Sequence, residues 1–421
     1  MQRKGGIVYM MERIRKAELR CAASFQRIDE IELYNTARVL RAMQEEQVAA
    51  RHFAPTTGYG YDDVGRDTLE RLFATLFGME AAIVRPQIAS GTHALALCLF
   101  GMLKPGEGLL SATGKPYDTL DEVIGISKKG EGSLAEMGIT YEQTEMTAEG
   151  HIDVEQVHKT LAENTNIRLV TVQRSRGYSL RRSLRPEDVQ PLAKTLAQEH
   201  PGVFLMVDNC YGEFVCKQEP SHFGADVCVG SLIKNPGGGL APTGGYIVGT
   251  EELIRRISYR MTAPGIGREV GSYAGSYQPF YQGLFMAPHV VAQAIKTATL
   301  AAAVLEDLGM STTPSSEEDR TDIIQALTLG TPERLIAFCQ GIQAASPIDS
   351  MALPEPWDMP GYQHQVIMAA GTFVSGASIE LSADAPMREP YTAYLQGGLT
   401  YGHGKLAILR TLESMERKGL L

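Results

Sequence analysis

The stretch Gly230-Ser231-Leu232-Ile233-Lys234-Asn235-Pro236-Gly237-Gly238-Gly239 decides how the chain is read. It follows an apolar run, Ala225-Asp226-Val227-Cys228-Val229, that predicts a buried strand. Lys234 falls where that strand should end, and glycines follow almost at once. A lysine at the mouth of a buried strand can be desolvated, which lowers its pKa and leaves an amine able to attack carbonyls. A surface lysine in a tight turn satisfies the same ten residues, so the choice rests on the rest of the chain.

Working outward, Val203-Phe204-Leu205-Met206-Val207 is a second apolar run without alternation, which predicts a strand buried on both faces. It ends in Asp208, a carboxylate that needs a cation or hydrogen-bond donors, whether as a cap or as a site residue. Ile167 to Gln173 predicts another strand. Five arginines follow it within twelve residues: Arg174, Arg176, Arg181, Arg182 and Arg185. They form either a solvated basic loop or an anion-binding wall. Upstream, Ala81 to Val84 leads into Ser90-Gly91-Thr92, which opens an apolar helix. The segment is an N-cap or an anion site, where free amides and a glycine let a phosphate approach. His93 lies in that helix and is as readily a core residue. Gly108 to Ala112 is a short strand, with Tyr117 just beyond it, where a tyrosine can lie flat on a ring ligand. Strands alternate with helices, which predicts an α/β fold with a mainly parallel sheet. In such sheets ligands gather at the carboxyl ends of strands. Ser90, Tyr117, Gln173, Asp208 and Lys234 all fall at such ends.

The flanks carry less. Residues 11 to 50 predict two amphipathic helices, and Thr56 to Asp67 a glycine-rich loop bearing Tyr59 and Tyr61. A long helix is expected from Ala287, starting at Pro288, to Leu308. Thr312 to Asp322 reads as a loop, Val366 to Ala370 and Ala377 to Leu381 as strands, and Ser382 to Pro390 as a loop. A strand at Tyr391 to Leu395 and a helix from Tyr401 to Glu416 close the chain. The division expected is a helical segment 1–54, a large domain 55–286 and a small α+β domain 287–421.

A net charge of −10 over 421 residues, with no basic run, disfavours nucleic acid and anionic membranes as partners. Six scattered cysteines without a CxxC pair predict a reducing, cytoplasmic setting with no disulfide framework, and no metal site is expected. No stretch approaches the ~18 apolar residues of a membrane span. The basic N-terminus lacks the apolar core of a signal peptide. A start at Met10 or Met11 would make the first nine residues dispensable.

Together, Lys234 behind a strand, Asp208 in Val207-Asp208-Asn209 and Ser90-Gly91-Thr92 resemble the fold-type-I enzymes that use pyridoxal 5′-phosphate (PLP). Within that group the chain resembles the cystathionine and methionine lyase branch, and a methionine γ-lyase-like, aluminium-resistance subgroup. The strings that carry this are Gly58-Tyr59-Gly60-Tyr61, Gln173-Arg174-Ser175-Arg176-Gly177-Tyr178, Lys234-Asn235-Pro236-Gly237-Gly238, Ser375 to Asp384, and Gln396-Gly397-Gly398-Leu399-Thr400-Tyr401. The resemblance spans the chain beyond about residue 25.

It implies a three-layer PLP-transferase large domain, aspartate-aminotransferase-like, with a smaller C-terminal domain. It further implies that Lys234 binds PLP covalently and moves the Cα proton, and that Asp208 pairs with the pyridine nitrogen. Ser90, Gly91, Thr92 and Ser231 would hold the phosphate. Tyr117 would stack on the ring, with His93 as rival, and Gln173 would stand beside the cofactor. Tyr59 or Tyr61 would reach the phosphate of a neighbouring subunit, in a homodimer or homotetramer with shared sites. Arg388, with Arg176, is the candidate for the substrate carboxylate of an amino acid. Two departures stand out: Ile233 occupies the place of a hydroxyl residue, and the sequence around Arg388 differs from that of the better-known lyases. The activity implied is β- or γ-elimination at carbon–sulfur bonds. Transamination, γ-replacement, aldol-type cleavage or a non-catalytic binding role are the alternatives. A nucleotide site on Gly237-Gly238-Gly239 is disfavoured, because the glycines follow the lysine.

Overall fold

The computed structural model describes residues 2–128, 130–359, 362 and 364–421, with the backbone alone for residues 2–9. The expectation about the first nine residues therefore lies outside the described side chains. The first sheet has seven strands: β1 (Ala81–Arg85), β2 (Gly108–Ser111), β3 (Thr140–Gln143), β4 (Ile167–Gln173), β5 (Phe204–Asp208), β6 (Val227–Ser231) and β7 (Gly245–Gly249). Their order is β1-β7-β6-β5-β4-β2-β3. Only β7 runs against the others.

The unalternating apolar runs are explained by the layers. Leu110, Val170, Leu205, Val207 and Cys228 enter one core. Their neighbours Leu109, Leu169, Met206, Val227 and Val229 enter another on the opposite face, with the helices Gly91–Met102 and Glu251–Met261. A strand covered on both sides has no polar face to show, so period two is lost. Three layers result, with a mainly parallel sheet in the middle.

The second sheet is antiparallel: β8 (Ser311–Thr313), β9 (Ile324–Thr328), β10 (Val366–Ala369), β11 (Ser382–Pro386) and β12 (Thr392–Gln396), in the order β10-β11-β12-β9-β8. Here the sequence misleads at three places. Ser382 to Pro386, expected as loop, is a fully buried strand between β10 and β12. Ser-Ala-Asp-Ala-Pro has poor strand propensity, and position between two partners overrides it. Ala377 to Leu381, expected as strand, is turn, and the Glu380 carboxylate instead accepts from the amides of Phe373 and Val374. Part of the expected loop at Thr312 is also taken up, by β8.

The long helix is Gln278–Glu306, and Pro288 lies inside it. Pro279 at the true start takes the place that Pro288 was expected to hold. Its first half packs in the large-sheet core and its last turns, Leu300 to Leu305, in the core of the second sheet, so residue 286 falls within one continuous helix. By length and composition it could cross a membrane, contrary to the expectation that no stretch could, and 83% of its most apolar window is buried in the fold.

Glycines after Lys234 dock the lysine loop on this helix. A Cβ on Gly237 would lie 1.8 Å from the Leu232 carbonyl oxygen. Gly238 has φ +53, and a Cβ there would lie 2.4 Å from the Gly283 carbonyl oxygen in the helix. Gly237→Ala is expected to lower the unfolding free energy by roughly 2 kcal/mol in urea titrations, because backbone must move. Gly402→Ala has open space and an ordinary helical φ, and should raise it by roughly 0.5–1 kcal/mol.

Candidate active site

Parallel pairing brings the predicted residues to one edge. Gln173 and Asp208 are register partners at the ends of β4 and β5, and Asp208 is paired with Val229 on β6. Lys234 follows the end of β6 by three residues and caps a short turn at Asn235–Gly237. That turn is pinned by Asn235, whose amide donates to the Glu213 carbonyl at 3.0 Å. One cavity is lined by Gly91, Thr92, Tyr117, Gln173, Asp208 and Lys234 from the large-sheet side. The other wall is Ile324, Asp384, Tyr394 and Gln396 from β9, β11 and β12. The cavity shares Tyr117, Gln173, Gly177 and Tyr178 with a wider cleft toward Arg388.

Each wall has a structural cause. Ser90 is the N-cap of the helix Gly91–Met102, and its hydroxyl accepts from the His93 amide at 3.0 Å. The amides of Gly91 and Thr92 precede the first intrahelical bond, so they remain available to an anion. A Cβ on Gly91 would sit 3.5 Å from Ser231 Cβ and 3.6 Å from Cys210 Sγ, which places Ser231 beside this helix start. Thr92 and Thr119 share a hydroxyl hydrogen bond of 2.9 Å. The Asp208 carboxylate accepts from the Cys210 amide at 3.1 Å. Gln173 accepts from the Tyr117 amide at 2.8 Å and donates to the Ser175 carbonyl, which fixes the tyrosine at the cavity. The Tyr117 and Tyr362 hydroxyls are 2.5 Å apart.

Lys234 differs from expectation in its protonation. Burial alone pulls its ammonium down. The acidic groups around it, Cys210, Tyr211, Asp208 and Glu213, outweigh that and hold the pKa above the ordinary lysine value. The ammonium stands 3.9 Å over the Tyr211 ring, a cation–π contact. Tyr211 itself has φ +72, an uncommon conformation for a residue with a side chain. Glu213 is fully buried, with its carboxyl pushed up to about 8 by burial and held by the Tyr246 hydroxyl at 2.8 Å.

Other predicted residues are elsewhere. His93 Nδ1 lies 3.1 Å from the Ala89 amide, and the ring does not line the cavity. Tyr59 and Tyr61 stack on each other, 70% and 63% exposed, away from this chain's own cavity. Their loop is tied down where the Gly271 amide donates to the Tyr59 carbonyl. Arg388 lines the outer cleft and donates to the Tyr178 carbonyl at 2.7 Å. Arg176 is buried and donates to the Thr313 carbonyl, so it ties the β4 loop to β8.

The five arginines are therefore not a solvated loop: their guanidinium groups are bonded within the fold, and Arg176, Arg181 and Arg182 also line the outer cleft. Arg174 bonds Asn209, Leu184 and Glu219, Arg181 bonds three carbonyls, and Arg182 and Arg185 pair with Asp188 and Asp319. Sequence reasoning missed Tyr211, Thr119, Asp384, Tyr394 and Gln396. Tyr211 had a signal, three residues past Asp208. Asp384 was hidden because β11 was not expected, whereas Tyr394 fell in an expected strand and Gln396 in a string quoted for the family resemblance, without either being read as a site residue.

The donor set fits PLP: amides and a hydroxyl at a helix start, a carboxylate at a strand end, an aromatic ring and a lysine, in one cavity. This is the fold of PLP-dependent transferases, which the chain shares with the pyridoxal-5′-phosphate-dependent protein YhfS from Escherichia coli at a TM-score of 0.61 and 18% identity, over 93% of this chain and 97% of that one. The methionine gamma-lyase family model matches residues 10–416, and the chain belongs to that family. It is 50% identical over 408 residues to the uncharacterized protein YnbB of Bacillus subtilis (strain 168), covering 96% of each. It is also similar to a solved structure from Clostridium novyi NT described as a carbon-sulfur lyase involved in aluminum resistance. That likeness has 46% identity and a TM-score of 0.93, over 97% of both chains.

Glu213 gives a pH test independent of any ligand. Its folded pKa lies above the ordinary carboxyl value. Its contribution to stability is thus complete below that ordinary value and lost as pH rises through about 8. Glu213→Gln should therefore gain thermal stability relative to the native protein between pH 5 and 9. Unfolding curves that run parallel across that range would contradict it.

Proposed function

We propose that this protein is a PLP-dependent carbon–sulfur lyase acting on a sulfur amino acid by β- or γ-elimination. The observation that carries the reading is the single cavity shared by Lys234, Asp208 and the start of the helix Gly91–Met102. Family membership and the lyase description of the Clostridium novyi relative support it. Asp208 would face the pyridine nitrogen and keep it protonated. The amides of Gly91 and Thr92 and the hydroxyls of Ser90 and Ser231 would hold the phosphate, and Tyr117 would cover the ring. Lys234 would bind the aldehyde. Bound PLP supplies the electron sink for a carbanion at Cα.

The chain's own residues do the rest. An amino-acid substrate enters from the outer cleft, where Arg388 stands ready for its carboxylate. The Lys234 amine takes the Cα proton, and the acids around it decide how readily it holds that proton. The two walls exclude bulk water from the reacting carbons. Tyr59 and Tyr61, exposed on a tied loop, suit a second copy of this chain, in a cytoplasmic homo-oligomer with shared sites.

The purified protein should gain a visible absorption band with added PLP, and Lys234→Ala should not form the same band. The loaded enzyme should release thiol and a 2-keto acid from at least one of cysteine, cystathionine, homocysteine and methionine. Lys234→Ala should lose roughly 10²-fold or more of that rate. Release of neither product from all four would overturn the reading. A new amino acid formed from an added keto acid would move it to transamination.

A further inference from the structure

The site holds a second carboxylate that the chemistry above leaves unused. Asp384 lies on β11, on the wall opposite Asp208, and lines the same cavity as Lys234. It is 9% exposed. Its register partner is Tyr394 on β12, and Gln396, two residues on and also lining the cavity, donates to Asp384 Oδ2 at 2.8 Å. Two residues apart on one strand share a face, so the pairing aims both side chains inward. The Tyr178 hydroxyl is drawn toward the same carboxylate and helps hold its pKa down. It lies outside hydrogen-bonding geometry and is buried without a partner.

A buried carboxylate with one oriented oxygen, beside an unpartnered hydroxyl, does not stabilise the fold. An unpaired buried polar group costs free energy. The charged and titratable groups facing it are few and mostly neutral. They are Lys234 from the large-sheet side, Tyr117, Tyr178 and Tyr211 from the loops after β2, β4 and β5, Tyr362, and Cys339 from the helix Pro332–Ala345. Among the described lining residues of this wall no cation is present, so Asp384 is not a salt-bridge partner of its own sheet.

We propose that Asp384, oriented by Gln396, is a further catalytic residue: the acid that gives a proton to the sulfur as it leaves. This rests on the carbon–sulfur lyase reading and extends it to the leaving group. Substrate held against the large-sheet wall presents its side chain to the small-domain wall, where Asp384 stands. In β-elimination the Lys234 amine takes the Cα proton, and the electron pair left on Cα forms the Cα–Cβ double bond. The carbon–sulfur pair departs on sulfur, and sulfur takes the proton of the Asp384 carboxyl. The thiol leaves neutral, and Asp384 is left as carboxylate. Burial raises the carboxyl to about 6, against the lowering pull of Gln396, Tyr178 and Lys234. A substrate carboxylate bound nearby would raise it further. An acid titrating close to the working pH is suited to this transfer.

Leaving-group dependence tests it. Loaded enzyme and Asp384→Asn are compared on S-ethylcysteine, whose thiolate needs a proton, and S-(4-nitrophenyl)cysteine, whose thiolate does not. The expected loss is roughly 10²-fold or more for the first and under about tenfold for the second. In Gln396→Leu the acid persists, its pKa rises, and the falling limb of the S-ethylcysteine pH–rate profile moves to higher pH. Infrared titration of the protein should show a carboxylic-acid band near pH 6 that Asp384→Asn lacks. Equal losses on both substrates, an unmoved limb in Gln396→Leu, or no such band in the native protein each overturns the proposal. No thiol from either substrate with the native enzyme overturns this proposal, and the lyase reading falls as well only if the four amino acids above also yield none.

Discussion

Everything at this site depends on holding one cation, the Lys234 ammonium, inside a largely enclosed cavity. Burial disfavours that charge. The structure offsets the cost with the Tyr211 face 3.9 Å away and with acidic groups at Asp208 and Glu213. The balance leaves the lysine a firmer base than a desolvated amine would be. A negatively charged cofactor or a pyridinium paired with Asp208 changes that balance, so the lysine's basicity is tuned by what occupies the cavity.

The same lysine explains the backbone around it. Gly237 must approach the Leu232 carbonyl, and Gly238 must lie on Gly283 of the helix Gln278–Glu306. The lysine loop is therefore anchored on a long helix that enters both cores. The two walls are thus tied to one rigid element: Lys234 through its glycines, and the second sheet through packing on Leu300 to Leu305. Arg176 and Arg388 add ties between the β4 loop and the small domain. A cavity built between two sheets in this way can present one wall to a cofactor and the other to substrate.

What could be read from sequence follows from the physics of each element. Buried parallel strands announce themselves as apolar runs, and their polar end residues stand out, which is why Gln173, Asp208 and Lys234 were found and meet in one cavity. The β11 part of the small-domain wall was hidden. Ser382 to Pro386 carries no strand signal, and only its place between β10 and β12 makes it one, so Asp384 read as a loop residue. The arginines misled for a related reason. Charge counts do not reveal which guanidinium finds a carbonyl, and Arg174, Arg176 and Arg181 are spent on backbone and buried acids. The lysine's pKa direction needed its neighbours: burial was foreseeable from the strand, while the acids at 208, 210, 211 and 213 came together only in the fold.

Borohydride reduction of the PLP-loaded protein, followed by peptide mass mapping, reports which lysine holds the cofactor. A single phosphopyridoxyl group is expected, on the peptide that contains Lys234. A label on another lysine, or none on a protein shown to be folded, would contradict it.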